Sequence, residues 1–588
     1  MKKSSKWQDI SGLIADSFRM SRANYVVLTF SAVVESARSI FQMMIPAMLI
    51  DKITGADAFG SVMNAVFFYA LIVLLADASK KALSLFSTAF GYKAGNRAAL
   101  SVGQKGMRID YGGWEDTETY EGMLRAVRNT WVFQNITDLL CENWIASIIT
   151  LVPVLYIFSY VDVFLLLPLS GLLILEVFLE KKTDKRVYGL EEGRAADEKK
   201  LHYDEKVMTD LKYGKEIRLY GAMEAVVKKY EESRRKVFCS LKQQKKAEIL
   251  FRVSASAIAC AEAVLIYLAA IREYGKGAVT ISFFLLFVGA IRLFTESVKS
   301  IAENFEWVRE LADYYGDYRK FMEKQEGFLA AGGKKDAVQV PFAIEFRNVS
   351  FRYPGTEEYV LKNINLAFPY GKKIAIVGEN GAGKTTLVKL LLRLYDVTEG
   401  EILVGGINIK EIEYSAYLKL YAAVFQDFKL HSYSIRENIA FQESGKDELI
   451  WELLRRQGLD GAVKQTKKGL DTFLTKELDQ EGKDFSGGEK QRLAMVRALY
   501  RNSPFFVLDE PTAAIDPLAE LRYFESLKEE TKDRTTVFIT HRMASTKFAD
   551  IIVVLDQGKV EESGDFDTLI NSGGIFERLF NIQACYYM

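Results

Sequence analysis

Cysteine is scarce in this 588-residue chain. Its four cysteines, Cys141, Cys239, Cys260 and Cys585, are scattered and form no C-x-x-C pair. That excludes a disulfide framework and a cysteine-based zinc site, and leaves plain packing as their role. An excess of either charge is also missing, because 77 Lys plus Arg balance 77 Asp plus Glu. The balance points to no nucleic-acid partner. The N-terminus, MKKSSKWQDISGL, is basic and amphipathic but has no small-residue cleavage site after a short apolar core. It does not read as a signal peptide.

What is present falls into two halves. Hydrophobic residues make up 49% of the chain and charged residues 26%, an ordinary average that conceals a split. Long apolar runs fill the region up to about residue 310, and alternating strand and helix patterns begin near Val338. The length suits two or more domains.

Six stretches are candidate membrane spans: 24–50, 61–89, 133–159, 162–181, 249–271 and 279–303. A span needs about 20 mostly apolar residues. The clearest pair, IASIITLVPVLYIFSY and VFLLLPLSGLLILEVFL, flanks Tyr160 and Asp162 and requires a tight turn at the membrane surface there. The loops after spans 2 and 4 are long and basic, as in KKTDKR, ESRRK and QQKK between Lys181 and Lys246. The positive-inside rule puts those loops, and with six spans both termini, in the cytoplasm. The spans also carry Glu35, Arg38, Asp77, Lys80, Glu142, Glu262, Arg292 and Glu296. Each costs roughly 2.5–3.5 kcal/mol at a helix centre. Two readings stand for them: a polar substrate path, or structural ion pairs and helix ends. Glu35 with Arg38 and Arg292 with Glu296 lie one turn apart and can satisfy each other.

In the second half, GKKIAIVGENGAGKTTLVKLLLRL reads as strand, loop and amphipathic helix. The loop from Gly378 to Thr386 fits G-x-x-x-x-G-K-[ST]. Glycines let backbone N–H groups wrap phosphates, and the helix N-terminus adds positive potential. Gly378, Asn380, Gly381, Gly383, Lys384, Thr385 and Thr386 are therefore expected to hold ATP. Lys384 is expected on the β- and γ-phosphates and Thr385 on Mg²⁺. Downstream, FFVLDE is a buried strand ending in two acids. Asp509 suits Mg²⁺, and Glu510 suits a base that takes a proton from attacking water.

The run FSGGEKQRLAMVRAL, Phe485 to Leu499, resembles the signature sequence of ATP-binding cassette proteins, usually written LSGGQ. The other motifs of that family follow in order over about 340–580. By resemblance, Tyr353 stacks on adenine and Gln426 senses Mg²⁺ and water. Ser486, Gly487 and Gly488 cap the ATP held by a second cassette. Asp516 lies in the loop that crosses the cassette dimer, and His541 contacts the γ-phosphate. The implied architecture is multidomain: an all-α six-span transmembrane bundle (1–325), a linker (326–340) and an α/β P-loop ATP-binding cassette (341–588). One chain has one P-loop and one signature, so the resemblance implies a second half-transporter as partner, identical or not. Fusion of six spans to one cassette resembles the exporter branch. There, coupling helices are expected near Trp114–Met123 and Lys212–Gly221.

Two departures stand out. The signature has Glu489 where the family has glutamine, an acid expected to weaken the partner's site modestly. LDQEGKD replaces a Gly-Glu-x-Gly pattern thought to relay motion. Intact Glu510 and His541 set the chain apart from degenerate cassettes. The expected function is ATP-driven export across a bacterial cytoplasmic membrane, with lipid around the spans and peptide, lipid or drug-like cargo. No peptidase domain is expected before the first span. The alternatives are the competent half of a heterodimer, and an ATP-gated channel or regulator that does not pump.

Overall fold

Two hydrophobic periodicities build two kinds of structure. The computed structural model describes residues 6–55, 59–159, 166–275, 280–327, 340–441, 446–510 and 517–585. The chain divides into two compact units, Met1–Gln104 with Gly122–Glu323, and Lys105–Glu121 with Lys324–Met588.

The first unit is helical. Four helical stretches are long and apolar enough to cross a membrane: Arg22–Thr54, Phe59–Arg108, Thr117–Phe158 and Ile281–Met322. Of the six expected spans, four fall in helices that meet the length and apolarity required among the described residues, and the count of six is not confirmed. Of the other two, 249–271 lies within the helix Met223–Gly275 and 162–181 runs into the helix Leu166–Thr209. Both helices continue into long charged halves, and residues 162–165 fall outside the described ones. Phe67, Phe68, Leu74 and Leu75 are each more than half exposed on one helix. Such a helix is apolar toward its surroundings, as a lipid-facing span must be. Met43, Val154, Ile157, Phe158, Phe287 and Ile291 pack into a shared core. The helical path between residues 138 and 145 widens into a π segment.

Leu166–Thr209 and Met223–Gly275 run side by side in opposite directions. Asp204 accepts from the buried Ser233 hydroxyl at 2.7 Å, and further along Arg194 donates to Gln244 at 2.6 Å. The helix Gly214–Leu219 sits between them in sequence, with Leu211, Leu219 and Tyr220 at 92, 77 and 77% exposure beside it.

The second unit is α/β. β1 (Ile344–Phe351), β2 (Leu361–Phe368), β4 (Glu399–Val404) and β5 (Ile407–Asn408) form an antiparallel sheet in the order β2-β1-β4-β5. β3 (Lys373–Val377), β6 (Tyr421–Val424), β7 (Phe505–Asp509), β8 (Thr535–Ile539), β9 (Ile551–Asp556) and β10 (Lys559–Gly564) form a second sheet, β10-β9-β3-β8-β7-β6. Its strands pair in parallel except for β10 on β9. Parallel strands covered on both faces need unbroken apolar runs, and KIAIV, FFVLD and TTVFI are buried throughout. Alternation sends Ile374, Ile376, Phe505 and Val507 into one core and Ala375, Val377, Phe506 and Leu508 into another. The helix Gly487–Tyr500 covers the second core with Leu493 and Val496.

The segment Tyr111–Glu115 is a short helix belonging to this second unit. Glu115 pairs with Lys389 at 3.2 Å and accepts a hydrogen bond from the Tyr395 hydroxyl, and the Tyr111 and Tyr395 rings meet edge to face. The packed helix begins three residues before the segment expected at Trp114–Met123.

Candidate functional site

Strand order assembles the site. β3, β8, β7 and β6 are consecutive neighbours in the sheet. The loops leaving their carboxyl ends therefore lie in a row, where open parallel sheets bind ligands. β3 leads into the 378–386 loop, β8 into His541, β7 ends at Asp509 and Glu510, and β6 precedes Gln426. Residues that are 163 positions apart (378 to 541) become neighbours through pairing alone.

The 378–386 loop is built around glycine. Gly378 has φ +149°, and a Cβ there would lie 2.1 Å from the Leu555 carbonyl oxygen. Gly383, at φ +100°, caps the helix Lys384–Leu391, and Gly381 has φ +83°. Lys384 is buried and donates to the carbonyls of Gly378 and Glu379, both at 2.9 Å. Burial pushes its ammonium below the usual lysine range, with the Glu510 and Asp509 carboxylates acting in the opposite direction. Thr386 shares a 3.0 Å hydrogen bond with the Tyr353 hydroxyl. The Tyr353 ring stands edge to face with Phe351 and Tyr395. It lines an open cavity of about 620 Å³ with Arg352, Pro354 and Gly355.

Asp509 is 4% exposed, and its Oδ1 is buried without a hydrogen-bond partner. Burial, then Glu510 and Asp427, push its carboxyl up to about 6, with Lys384 and the Thr385 hydroxyl opposing. An orphaned carboxylate oxygen beside a threonine hydroxyl suits a hard divalent cation. The residues present fit Mg²⁺.

Glu510 is held at both oxygens. His541 Nε2 lies 2.6 Å from Oε1, and Gln426 Nε2 donates to Oε2 at 2.9 Å. A carboxylate only accepts, so His541 carries its proton on Nε2. Glu510 has φ +50°, a left-handed conformation that costs a non-glycine residue roughly 1–2 kcal/mol. Its own N–H donates to the Ile539 carbonyl at 3.2 Å and holds the turn.

Ser486 is the N-cap of Gly487–Tyr500. The Glu489 carboxylate accepts from the Ser486 N–H and hydroxyl, both at 2.8 Å, and Ser486 accepts from the Glu489 N–H at 3.3 Å. The acid that replaces glutamine is thus engaged in a capping box. Those bonds hold its carboxyl below the usual range. Gly487 and Gly488 are exposed, and a Cβ on either would meet nothing within 4 Å. Asp516 lies outside the described residues.

Sequence reasoning missed Gln583. From the helix Ile575–Cys585 it donates Nε2–H to the His541 carbonyl at 2.5 Å and accepts from the Met543 N–H at 2.8 Å. One amide clamps both sides of the histidine turn. Nothing in the local pattern separates this glutamine from an ordinary helix residue. Asp427 was missed as well, though its charge reaches Asp509.

Comparison with known proteins is consistent with this geometry. A family model described as "ABC transporter" matches residues 361–513. The subtilin transport ATP-binding protein SpaT of Bacillus subtilis is 27% identical over 96% of this chain and 92% of its own length. Residues 361–513 thus carry an ABC transporter domain, and the relatives are ABC exporters.

The ATP-dependent lipid A-core flippase of Haemophilus influenzae (strain 86-028NP) is 38% identical over 41% of each chain. The beta-(1-->2)glucan export ATP-binding/permease protein NdvA of Bartonella bacilliformis is 39% identical over 40% of this chain and 39% of its own. The chain thus spans about two-fifths of these two relatives. A bacterial Atm1-family ABC exporter with ATP bound has the same fold, with a TM-score of 0.78 at 20% identity, covering 96% of this chain and 98% of that one. This transporter is a multi-pass membrane protein with a fused cassette that binds ATP and couples its hydrolysis to transport.

Proposed function

We propose that this ABC transporter is an exporter of the cytoplasmic membrane, working as a dimer of half-transporters with its cassettes in the cytoplasm. The hydrogen-bonded set Gln426–Glu510–His541 beside an intact P-loop is the observation that carries the reading. Lys384 and the glycine loop bind the phosphates and Tyr353 binds adenine. Thr385, Gln426 and Asp509 would hold Mg²⁺, which when bound offsets phosphate charge. Glu510 takes a proton from the water that attacks the γ-phosphorus, and ADP leaves. His541 holds Glu510 in line through its Nε2–H. Exposed Gly487 and Gly488, with no packing need of their own, support a second cassette closing over them. Exposed Leu211, Leu219 and Tyr220 support docking of that loop on a partner.

Peptide, lipid and drug-like cargo are the classes in view. One relative whose likeness runs through nearly the whole chain is a subtilin transport protein, which favours a cargo of that kind. Steady-state ATPase of the purified chain in lipid nanodiscs, beside Glu510→Gln, tests the reading. Strong activity in the parent and a loss of about a hundredfold or more in the variant support a self-sufficient homodimer with Glu510 as base. Background activity in both points to a second, different chain. Equal activity in both removes Glu510 from the role.

A further inference from the structure

Most of the charges expected in the spans are paired. Glu35 meets Arg38 at 2.5 Å and Lys80 at 3.0 Å, Arg38 meets Asp77 at 3.4 Å, and Lys80 meets Glu142 at 3.9 Å. Arg292 pairs with Glu296 at 2.8 Å. Glu262 differs. It is 6% exposed, makes no ion pair among the described residues, and has its Oε1 buried without a partner. An unpaired carboxylate in an apolar stretch is costly, and such groups mark substrate and ion paths.

Its surroundings specify a ligand. The antiparallel pairing of Met223–Gly275 with Leu166–Thr209 brings Glu262 level with Glu176, which is also buried. Glu176 is already bound to Lys299 at 2.6 Å, and Lys299 also reaches Glu303 at 3.8 Å. The charges of Glu176 and Lys299 both act on Glu262. Lys299 is thus engaged by two acids at contact distance, and Glu262 has no cation of its own among the described residues. Beside Glu262, the same two helices line an open apolar cavity of about 630 Å³, formed by Gly171, Leu172, Cys260, Ala261, Val264 and Leu265.

We propose that Glu262 binds the cationic head of an amphiphilic cargo, an ammonium or guanidinium, whose apolar body lies in the neighbouring cavity. The inference rests on the export reading for its meaning. Its test needs no ATP turnover, so the two can fail separately.

The probe is a dansyl-labelled decyl amine, paired with its N-acetylated, neutral twin. Binding to the whole chain in lipid nanodiscs is followed by dansyl fluorescence without nucleotide. The amine is expected to bind the parent more tightly than its twin, and Glu262→Gln to weaken amine binding about tenfold or more. Glu262→Asp should recover part of that loss, and the neutral twin should not distinguish the variants. Val264→Trp, which fills the cavity, should weaken both probes and serves if Glu262→Gln does not fold. An unchanged size-exclusion profile of each variant in nanodiscs establishes folding. Equal amine affinity in the parent and Glu262→Gln overturns the proposal. So does a parent that shows no preference for the amine, or a Val264→Trp variant that binds both probes as the parent does.

Discussion

The cassette edge and the helical unit treat charged residues in opposite ways. At the cassette edge, Gln426, Asp509, Glu510 and His541 come from distant parts of the chain and meet only because β6, β7 and β8 are neighbours. In the helical unit, pairs such as Glu35–Arg38 and Arg292–Glu296 lie three or four residues apart and satisfy each other within one turn. Local pairing hides charge, whereas assembly across strands concentrates it. The buried atoms without a hydrogen-bond partner include Asp509 Oδ1 in one unit and Glu262 Oε1 in the other, the two acids to which we assign a ligand.

The sharpest way to break this contrast is at the loop that collects the cassette charges. Gly378→Ala places a methyl against the Leu555 carbonyl and forbids the backbone the loop needs. A loss of ATP affinity of about a hundredfold or more is expected, read with a fluorescent ATP analogue. Parent-like affinity would show that the loop reshapes freely.

A smaller effect is expected at the clamp. Gln583→Ala frees the His541 turn, and kcat for ATP hydrolysis should fall about tenfold with KM nearly unchanged. Combined with His541→Ala it should add nothing further. An additional loss in the double variant would mean that Gln583 acts through packing rather than through the histidine.

The paired and unpaired acids of the helical unit should then respond with opposite signs. Glu35→Gln removes the nearest acid from Arg38 and Lys80, leaving them Asp77 and Glu142, and should lower thermal stability by about 1 kcal/mol, discounted for their partial exposure. Glu262→Gln removes an uncompensated charge and should leave Tm equal or higher. Equal destabilisation by both, in a fluorescence-monitored melt, would erase the distinction. The smallest change is at the signature helix. Glu489→Ala removes half of a capping box, worth about 0.5–1 kcal/mol, visible as a slight Tm loss. The depressed Glu489 pKa gives that term a sign. It is present above the ordinary carboxylate range and lost as pH falls through the lowered value.

Much of this was legible in advance, and unevenly. Buried strands announced themselves because parallel strands covered on both faces must be apolar throughout, as KIAIV and FFVLD are. The 378–386 loop was readable because glycine is required where φ is positive and backbone is close. The span count is less sharply defined. The stretches 162–181 and 249–271 merge without a break into charged helix, and a helix that leaves the membrane carries no stop signal in its hydrogen bonding. The sequence marks Glu489 as an acid near the partner's nucleotide, and the structure adds that its carboxylate is engaged by the Ser486 N–H and hydroxyl.

By itself the sequence determined the two-part architecture, the phosphate loop and the identity of the acids at the strand end. These follow from short-range rules, in which a residue type and its near neighbours suffice. Only the tertiary structure decided that Gln426 and His541 grip the two oxygens of Glu510, that Gln583 clamps the histidine turn, and that Glu262, unlike the other seven span charges named above, has no ion pair among the described residues. Each of those depends on which strands and helices become neighbours. That choice is made by burying whole apolar faces, and no local stretch of sequence records it.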